Sequence, residues 1–165
     1  MLAKISTKID SFNEVVGSVV SWLILFMVIF MCISVIQRYM FQSNHIWAGE
    51  LIQFMHAVVF LSVAGYALKD DEHVRVDLLY ERFSVRKKAI VNLFGCIFLL
   101  LPVCVALFYF SYDLISSSWA IFERSRESDG LPGVFILKSF IWVFAAFLSL
   151  QSVSIVMKSL ITLRK

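Results

Sequence analysis

Charged residues are scarce in this sequence, and their scarcity excludes several classes of protein. Only 16% of the 165 residues are Asp, Glu, Lys or Arg, against about 25% in ordinary soluble domains. Hydrophobic residues make up 60%, which is more than one soluble core of this size can bury. The net charge of +3 gives no compositional support for a nucleic-acid partner. With two prolines and six glycines, a collagen-like or low-complexity chain is also excluded, so lipid is the expected solvent.

Cysteine and histidine, which often form redox and metal sites, are also few. The three cysteines, Cys32, Cys96 and Cys104, all lie in long apolar stretches and form no C-x-x-C pair, whereas a redox site needs paired cysteines. Of the three histidines only His56 lies deep in such a stretch, and a haem held inside a bundle needs two axial ligands at one depth. No metalloprotease, P-loop or serine-hydrolase motif occurs. We therefore expect no enzyme, no cofactor and no metal site.

Four long apolar stretches predict four transmembrane helices. A hydrocarbon core of about 30 Å needs roughly 20 helical residues. Each stretch is long enough for one crossing and too short for two, and a bilayer leaves no unpaired backbone exposed. We predict one all-α integral membrane domain over residues 1–165, with spans at roughly residues 15–36, 48–68, 89–112 and 135–157.

Two shorter segments are amphipathic and predict short helices that lie in the membrane interface. Residues 2–14 have apolar side chains at helical spacing, and a frayed terminus is the alternative interpretation. These side chains are Leu2, Ile5, Ile9 and Phe12. In the loop after the second span the apolar side chains again share one helical face: Val76, Leu79, Tyr80 and Phe83.

The distribution of lysine and arginine predicts the orientation. Of the fifteen basic residues, three lie in the first and third loops and Lys138 lies just inside the fourth span. The other eleven lie on the side that holds both termini. Because basic residues are enriched on the cytoplasmic side, both termini should be cytoplasmic. The eleven are Lys4, Lys8, Lys69, Arg75, Arg82, Arg86, Lys87, Lys88, Lys158, Arg164 and Lys165.

No charge lies at the centre of any predicted span. The charges nearest the membrane are Arg38, Glu50, Asp113 and Lys138, and all four are predicted near the outer interface. They either snorkel to the headgroups or form a polar cluster that pins helix ends together or docks a partner. His56 shares a helical face with Gln53 and Glu50, and polar residues in a span usually face protein rather than lipid. A proton relay through His56 is the alternative.

Several short motifs, in their order relative to the four spans, resemble a known family. The family is the small permease subunit, also called the DctQ-like or Q subunit, of the tripartite ATP-independent periplasmic (TRAP) transporters. The resemblance covers about residues 35–155, although Gly49 stands where members often carry a second acid. The motifs are Arg38-Tyr-Met-Phe41, Trp47-Ala-Gly-Glu-Leu51, Gly65-Tyr-Ala-Leu68, His73-Val-Arg-Val-Asp-Leu-Leu79, and Gly130-Leu-Pro132 with Lys138 and Leu150-Gln151.

The resemblance implies a multi-pass scaffold in the bacterial cell inner membrane. Its partners would be a large permease subunit, a periplasmic substrate-binding protein and membrane lipids. The assembly would take up an organic acid or similar small solute together with a cation, which the resemblance implies is sodium. The sequence itself has no central charge, no broken helix and no repeat, as expected of a helper subunit. Two alternatives are a self-contained homo-oligomeric transporter, which would need a membrane-buried acid, and a redox or haem anchor.

The resemblance and the placement of polar residues together select the candidate site residues. The loop motif His73, Arg75 and Asp77 is a candidate cytoplasmic element. The candidates for contact with a partner subunit are Arg38, Trp47, Glu50, Gln53, His56, Asp113 and Lys138.

Overall fold

The computed structural model describes residues 2–69, 80 and 83–164, and all of its long elements are helices. Four of them are long and apolar enough to cross a membrane, which confirms the predicted all-α class. They are α1 (Leu2–Met40), α2 (Ile46–Lys69), α3 (Val85–Ala120) and α4 (Val134–Arg164). Each predicted span lies inside one of these helices. The depth at which each helix enters and leaves the bilayer, and the single-domain organisation, remain predictions.

The C-terminal helix α4 is the centre of the bundle. It packs against α1, α2 and both halves of α3, while α1 and α2 also pack against each other. Leu68, Cys104 and Leu148 form the apolar core where α2, α3 and α4 meet. Small side chains on α4, at Ala145, Ser152 and Ser159, are buried in these contacts, because a small side chain lets a neighbouring backbone approach closely.

Two glycines set the distance between α1, α2 and α4. A Cβ atom at Gly17 would lie 2.8 Å from the Cγ atom of Tyr66, so the ring of α2 lies directly on the α1 backbone. A Cβ atom at Gly65 would lie 3.1 Å from both the side chain of Asn13 and the backbone oxygen of Phe147. Any larger residue at either position would push two helices apart.

Helix α1 differs from the prediction for residues 2–14. The structure has no separate interfacial helix and no frayed segment there, because α1 is continuous over 39 residues. At 1.5 Å per residue this is about 58 Å, nearly twice the hydrocarbon thickness. The predicted apolar face is also not the buried one: Ile5 and Phe12 are exposed and Leu2 and Ile9 only half-buried, whereas Ser6 and Asn13 are buried. The reason is that α4 supplies polar partners for Ser6 and Asn13.

Helix α3 contains a π-helical turn in its middle. An α-helical segment, Val85–Gly95, is followed by the wide turn Cys96–Leu100 and then by Leu101–Ala120. Pro102 has no backbone N–H and its ring excludes the carbonyl four residues earlier. The N–H of Leu101 instead donates to the oxygen of Cys96, five residues back. The predicted absence of a broken helix therefore holds only in part, since α3 is locally widened and yet continuous.

The described part of the second loop is short. The rings of Tyr80 and Phe83 are 6.4 Å apart, and the Tyr80 hydroxyl donates to Oδ1 of Asn92 at 3.1 Å. Most of the predicted surface helix at 76–83 lies outside the described residues. The same holds for the candidate loop motif of His73, Arg75 and Asp77.

Candidate functional site

Glu50 ties the start of α2 to the loop between α3 and α4. One of its carboxylate oxygens accepts a hydrogen bond from the backbone N–H of Leu131 at 2.7 Å, and the other accepts one from the hydroxyl of Ser125. Gly130 lies under this contact, where a Cβ atom would be 2.3 Å from the Ser125 side chain. The charge-assisted bonds close the 121–133 loop over α2, and we call this arrangement the outer clasp.

A second contact of the outer clasp joins Lys138 on α4 to Glu123 just after α3. The two side chains form an ion pair and are equally shielded, each 26% exposed. The hydrogen bond from Lys138 holds the pKa of the Glu123 carboxyl below its ordinary value. The ion pair therefore links the start of the 121–133 loop to the helix that follows the loop.

The other outer candidates do not join this contact. Within the described residues Arg38 and Asp113 form no ion pair, and Asp113 lies exposed on α3 before its end at Ala120. The predicted cluster of all four charges is therefore not formed: Glu50 and Lys138 each contact the loop between α3 and α4, and Arg38 and Asp113 pair with neither of them. Trp47 lies 5.9 Å from the ring of Phe30 and 6.0 Å from that of His45.

One exposed stripe runs along α2 away from the rest of the bundle. It consists of Gly49, Gln53, His56 and Phe60, all exposed and spaced four, three and four residues apart. The ring of His56 stacks on that of Phe60 at 6.4 Å, and a Cβ atom at Gly49 would meet nothing within 4 Å. We call this surface the α2 stripe. It places an amide and an imidazole within the second predicted span, and no other described residue covers them.

A buried polar network, which the sequence interpretation missed, joins the N-terminal part of α1 to the C-terminal part of α4, the ends predicted to lie on the cytoplasmic side. Gln151 is fully buried, accepts from Nδ2 of Asn13 at 2.7 Å and donates to Asp10 at 3.0 Å. The Asp10 carboxylate also accepts from the Ser154 hydroxyl at 2.7 Å and pairs with Lys158 at 2.6 Å. We call this network the inner seam.

A sequence signal for the inner seam exists. Ser6, Asp10, Asn13 and Gly17 recur every three or four residues and so share one helical face. Our prediction for residues 2–14 used only the apolar positions and assigned no role to this polar face. Gln151, which stands with Ser152 and Ser154 in the otherwise apolar fourth span, is a second signal of a polar partner inside the bundle.

The arrangement positions helices and contains no recognisable reaction centre. Among the described residues, no group of three or more His, Cys, Asp or Glu side chains could hold a metal ion. Cys96 and Cys104 are buried and Cys32 is exposed on α1, and none forms a disulfide.

Comparison with known proteins identifies a family. The model of "Tripartite ATP-independent periplasmic transporters, DctQ component" matches residues 27–162, most of the chain. A curated relative from Vibrio cholerae serotype O1 (strain ATCC 39315 / El Tor Inaba N16961) is named C4-dicarboxylate TRAP transporter small permease protein DctQ. It is 32% identical over 105 residues, which are 60% of this chain and 42% of that protein, so the match spans less than half of the relative's length. No solved structure matches this chain.

The outer clasp predicts how removal of Glu50 affects the loop. Glu50→Ala leaves the N–H of Leu131 and the hydroxyl of Ser125 without their acceptor, so amides 123–131 should exchange with deuterium much faster. Glu14→Ala is the control, because it removes an exposed carboxylate whose ion pair with Lys69 lies at the other end of the bundle. Equal exchange in the two variants would show that Glu50 does not order the loop.

The lowered pKa of Glu123 predicts an acid-sensitive contribution to stability. A carboxyl whose folded pKa is depressed stabilises the fold above its unfolded value, and this contribution is lost as pH falls through the folded pKa. Glu123→Gln should therefore lower the thermal midpoint in detergent at pH 7. The difference from the unaltered protein should shrink as the pH falls below the ordinary glutamate value of 4.5. Glu127→Gln, an exposed neighbour in the same loop, should show no such pH-dependent difference.

Proposed function

We propose a function from one premise: this chain belongs to the DctQ component family of the tripartite ATP-independent periplasmic transporters. It is accordingly a multi-pass protein of the bacterial inner membrane and a non-enzymatic transporter subunit. Our proposal is that it acts as the scaffold for a large permease, which itself carries the substrate and the coupling cation. The cation is proposed to be sodium. The substrate class is proposed to be small organic acids, as the name of the relative suggests, delivered by a periplasmic binding protein.

The absence of a site at mid-membrane depth carries the scaffold proposal. Ion and substrate sites there are built from ionisable side chains or unwound helix segments. Glu50 and Lys138, the charged residues inside the predicted spans, are both engaged in the outer clasp. His56 has no hydrogen bond to another described residue, so a proton relay lacks a neighbour to receive the proton. The π turn of α3 keeps its backbone hydrogen-bonded.

The α2 stripe is the surface that we propose the large permease covers. Gln53 and His56 would lose hydrogen-bonding partners if they faced lipid, and an unpartnered polar group in an apolar medium is costly. The spacing of four, three and four residues is that of a helix seam packed on another helix. Gly49 would let the partner helix approach the backbone of α2 near the outer interface.

A reconstitution experiment tests the function. The chain, the large permease and the periplasmic binding protein are tested in liposomes singly, in pairs and all together under an inward sodium gradient. Uptake of labelled organic acid should require all three proteins. Uptake by this chain alone would contradict the scaffold proposal, and undiminished uptake without it would show that it is dispensable.

The same reconstitution tests the proposed interface. Gly49→Leu adds a side chain that meets nothing in this chain but would overpack a helix seam, at a cost of about 1–3 kcal/mol, or roughly fivefold to 150-fold in association. Recovery of the large permease with the tagged chain should fall accordingly, and uptake with it. Gly95→Leu is the matched control, because a Cβ atom there also meets nothing within 4 Å. Equal recovery of the large permease with both variants would show that the interface does not lie on the α2 stripe.

The cytoplasmic location of both termini is proposed from the basic residues and is tested by labelling. In a variant that lacks Cys32, Cys96 and Cys104, Ser43→Cys and Ser128→Cys should react with an impermeant thiol reagent added to intact cells. Ser84→Cys should react only after permeabilisation. Labelling of position 84 from outside would reverse the orientation.

A further inference from the structure

A polar groove opens at the inner end of the bundle, between α2, α3 and α4. Its volume is about 290 Å³. Three lysines, one from each helix, share its lining with one amide and two hydroxyl side chains. These residues are Lys69, Lys88, Asn92, Lys158, Ser159 and Thr162, and we call their cavity the basic groove.

The predicted spans place the basic groove at the depth of the lipid headgroups. Lys69, Lys88 and Lys158 each lie one residue outside the end of a predicted span, at positions 68, 89 and 157. The part of the lining that lies within those spans is largely apolar and includes Leu68, Ala89 and Ile155. A molecule in the groove would therefore meet ammonium and hydroxyl groups on one side and hydrocarbon on the other, which is the polarity profile of a phospholipid.

Among the described residues, the three lysines of the groove meet only two carboxylates. Lys158 pairs with Asp10 at 2.6 Å and Lys69 with Glu14 at 2.9 Å, and both carboxylates belong to α1, outside the lining. Lys88 has no ion pair with a carboxylate among the described residues; its ammonium lies 5.0 Å from the centre of the Tyr80 ring. An ammonium group has three donor hydrogens, so a lysine that is already paired with a carboxylate can still donate to a bound anion.

We propose that the basic groove binds a phosphate group, and that this group is the headgroup phosphate of an anionic phospholipid in the inner leaflet. Lys88, which has no carboxylate partner among the described residues, supplies the charge, Lys69 and Lys158 donate from the two sides, and Ser159 offers a hydroxyl. The lipid would join the inner ends of α2, α3 and α4, where α3 has few direct contacts with α2. Basic recesses between helices at the cytoplasmic side are suited to anionic headgroups.

The test follows the thermal unfolding of the purified full chain in neutral detergent as lipid is added. Phosphatidylglycerol should raise the midpoint saturably, while phosphatidylcholine and inorganic phosphate at equal concentration should not. Lys88→Gln should raise the phosphatidylglycerol concentration at half-saturation about fivefold, as expected for one lysine at an anionic surface. Native mass spectrometry should show one retained phosphatidylglycerol fewer in that variant.

Two matched variants decide between a site and a general positive field. Lys87→Gln removes the neighbouring charge from an exposed position that does not line the groove, and it should behave like the unaltered chain. Lys88→Arg keeps the charge and should retain the affinity. Equal weakening by Lys87→Gln, or equal stabilisation by phosphatidylcholine, would overturn the proposal. Stabilisation by inorganic phosphate as strong as that by phosphatidylglycerol would assign the groove to a free anion and reject the lipid.

Discussion

Apolar surface gains little when it leaves lipid tails for protein, so a membrane bundle must be held together by close packing and by polar contacts between helices. In this protein both kinds of contact converge on α4. The indole N–H of Trp119 on α3 donates to the hydroxyl of Ser139 on α4 at 2.8 Å. In the opposite direction, the indole N–H of Trp142 on α4 donates to the hydroxyl of Ser111 on α3 at 3.0 Å. Further along, Gln151 and Ser154 engage α1. Because each of the other helices is anchored to α4, their mutual arrangement depends on it.

The polar contacts lie at the two ends of the bundle, and its middle is packed with small and apolar residues. The outer clasp fixes α2 and the 121–133 loop, and the inner seam fixes α1. Buried networks whose members are all hydrogen-bonded favour one packing over others, and Gln151 uses both ends of its amide in this way. This distribution of contacts suits the proposed scaffold role, in which the chain keeps its shape while the large permease moves.

The number and approximate location of the helices could be predicted from the sequence. The hydrocarbon thickness dictates the length of a span, and charged residues are rare inside a span because they are costly there. Pairing could not be predicted in the same way. Asp10 is polar whether it faces water or Gln151, and only the register between α1 and α4 decides which. The same limit explains why Arg38 and Lys138, predicted at one depth, share no contact, since Lys138 pairs with Glu123 and Arg38 does not join them. Depth can be deduced from position along a helix, whereas contact requires knowledge of which helices are neighbours.

For the α2 stripe, the sequence predicted contact with protein and could not say with which protein. Sequence reasoning placed Gln53 and His56 against protein, and the structure leaves both exposed on this chain. The two statements agree if the protein in question is a different chain, as we propose for the large permease. In α1 the polar side chain of Asn13 is instead covered within the molecule, by Gln151. Polar residues of a predicted span that the chain leaves uncovered are therefore the ground for proposing a shared surface, and in α2 these residues have the regular spacing of a helix seam.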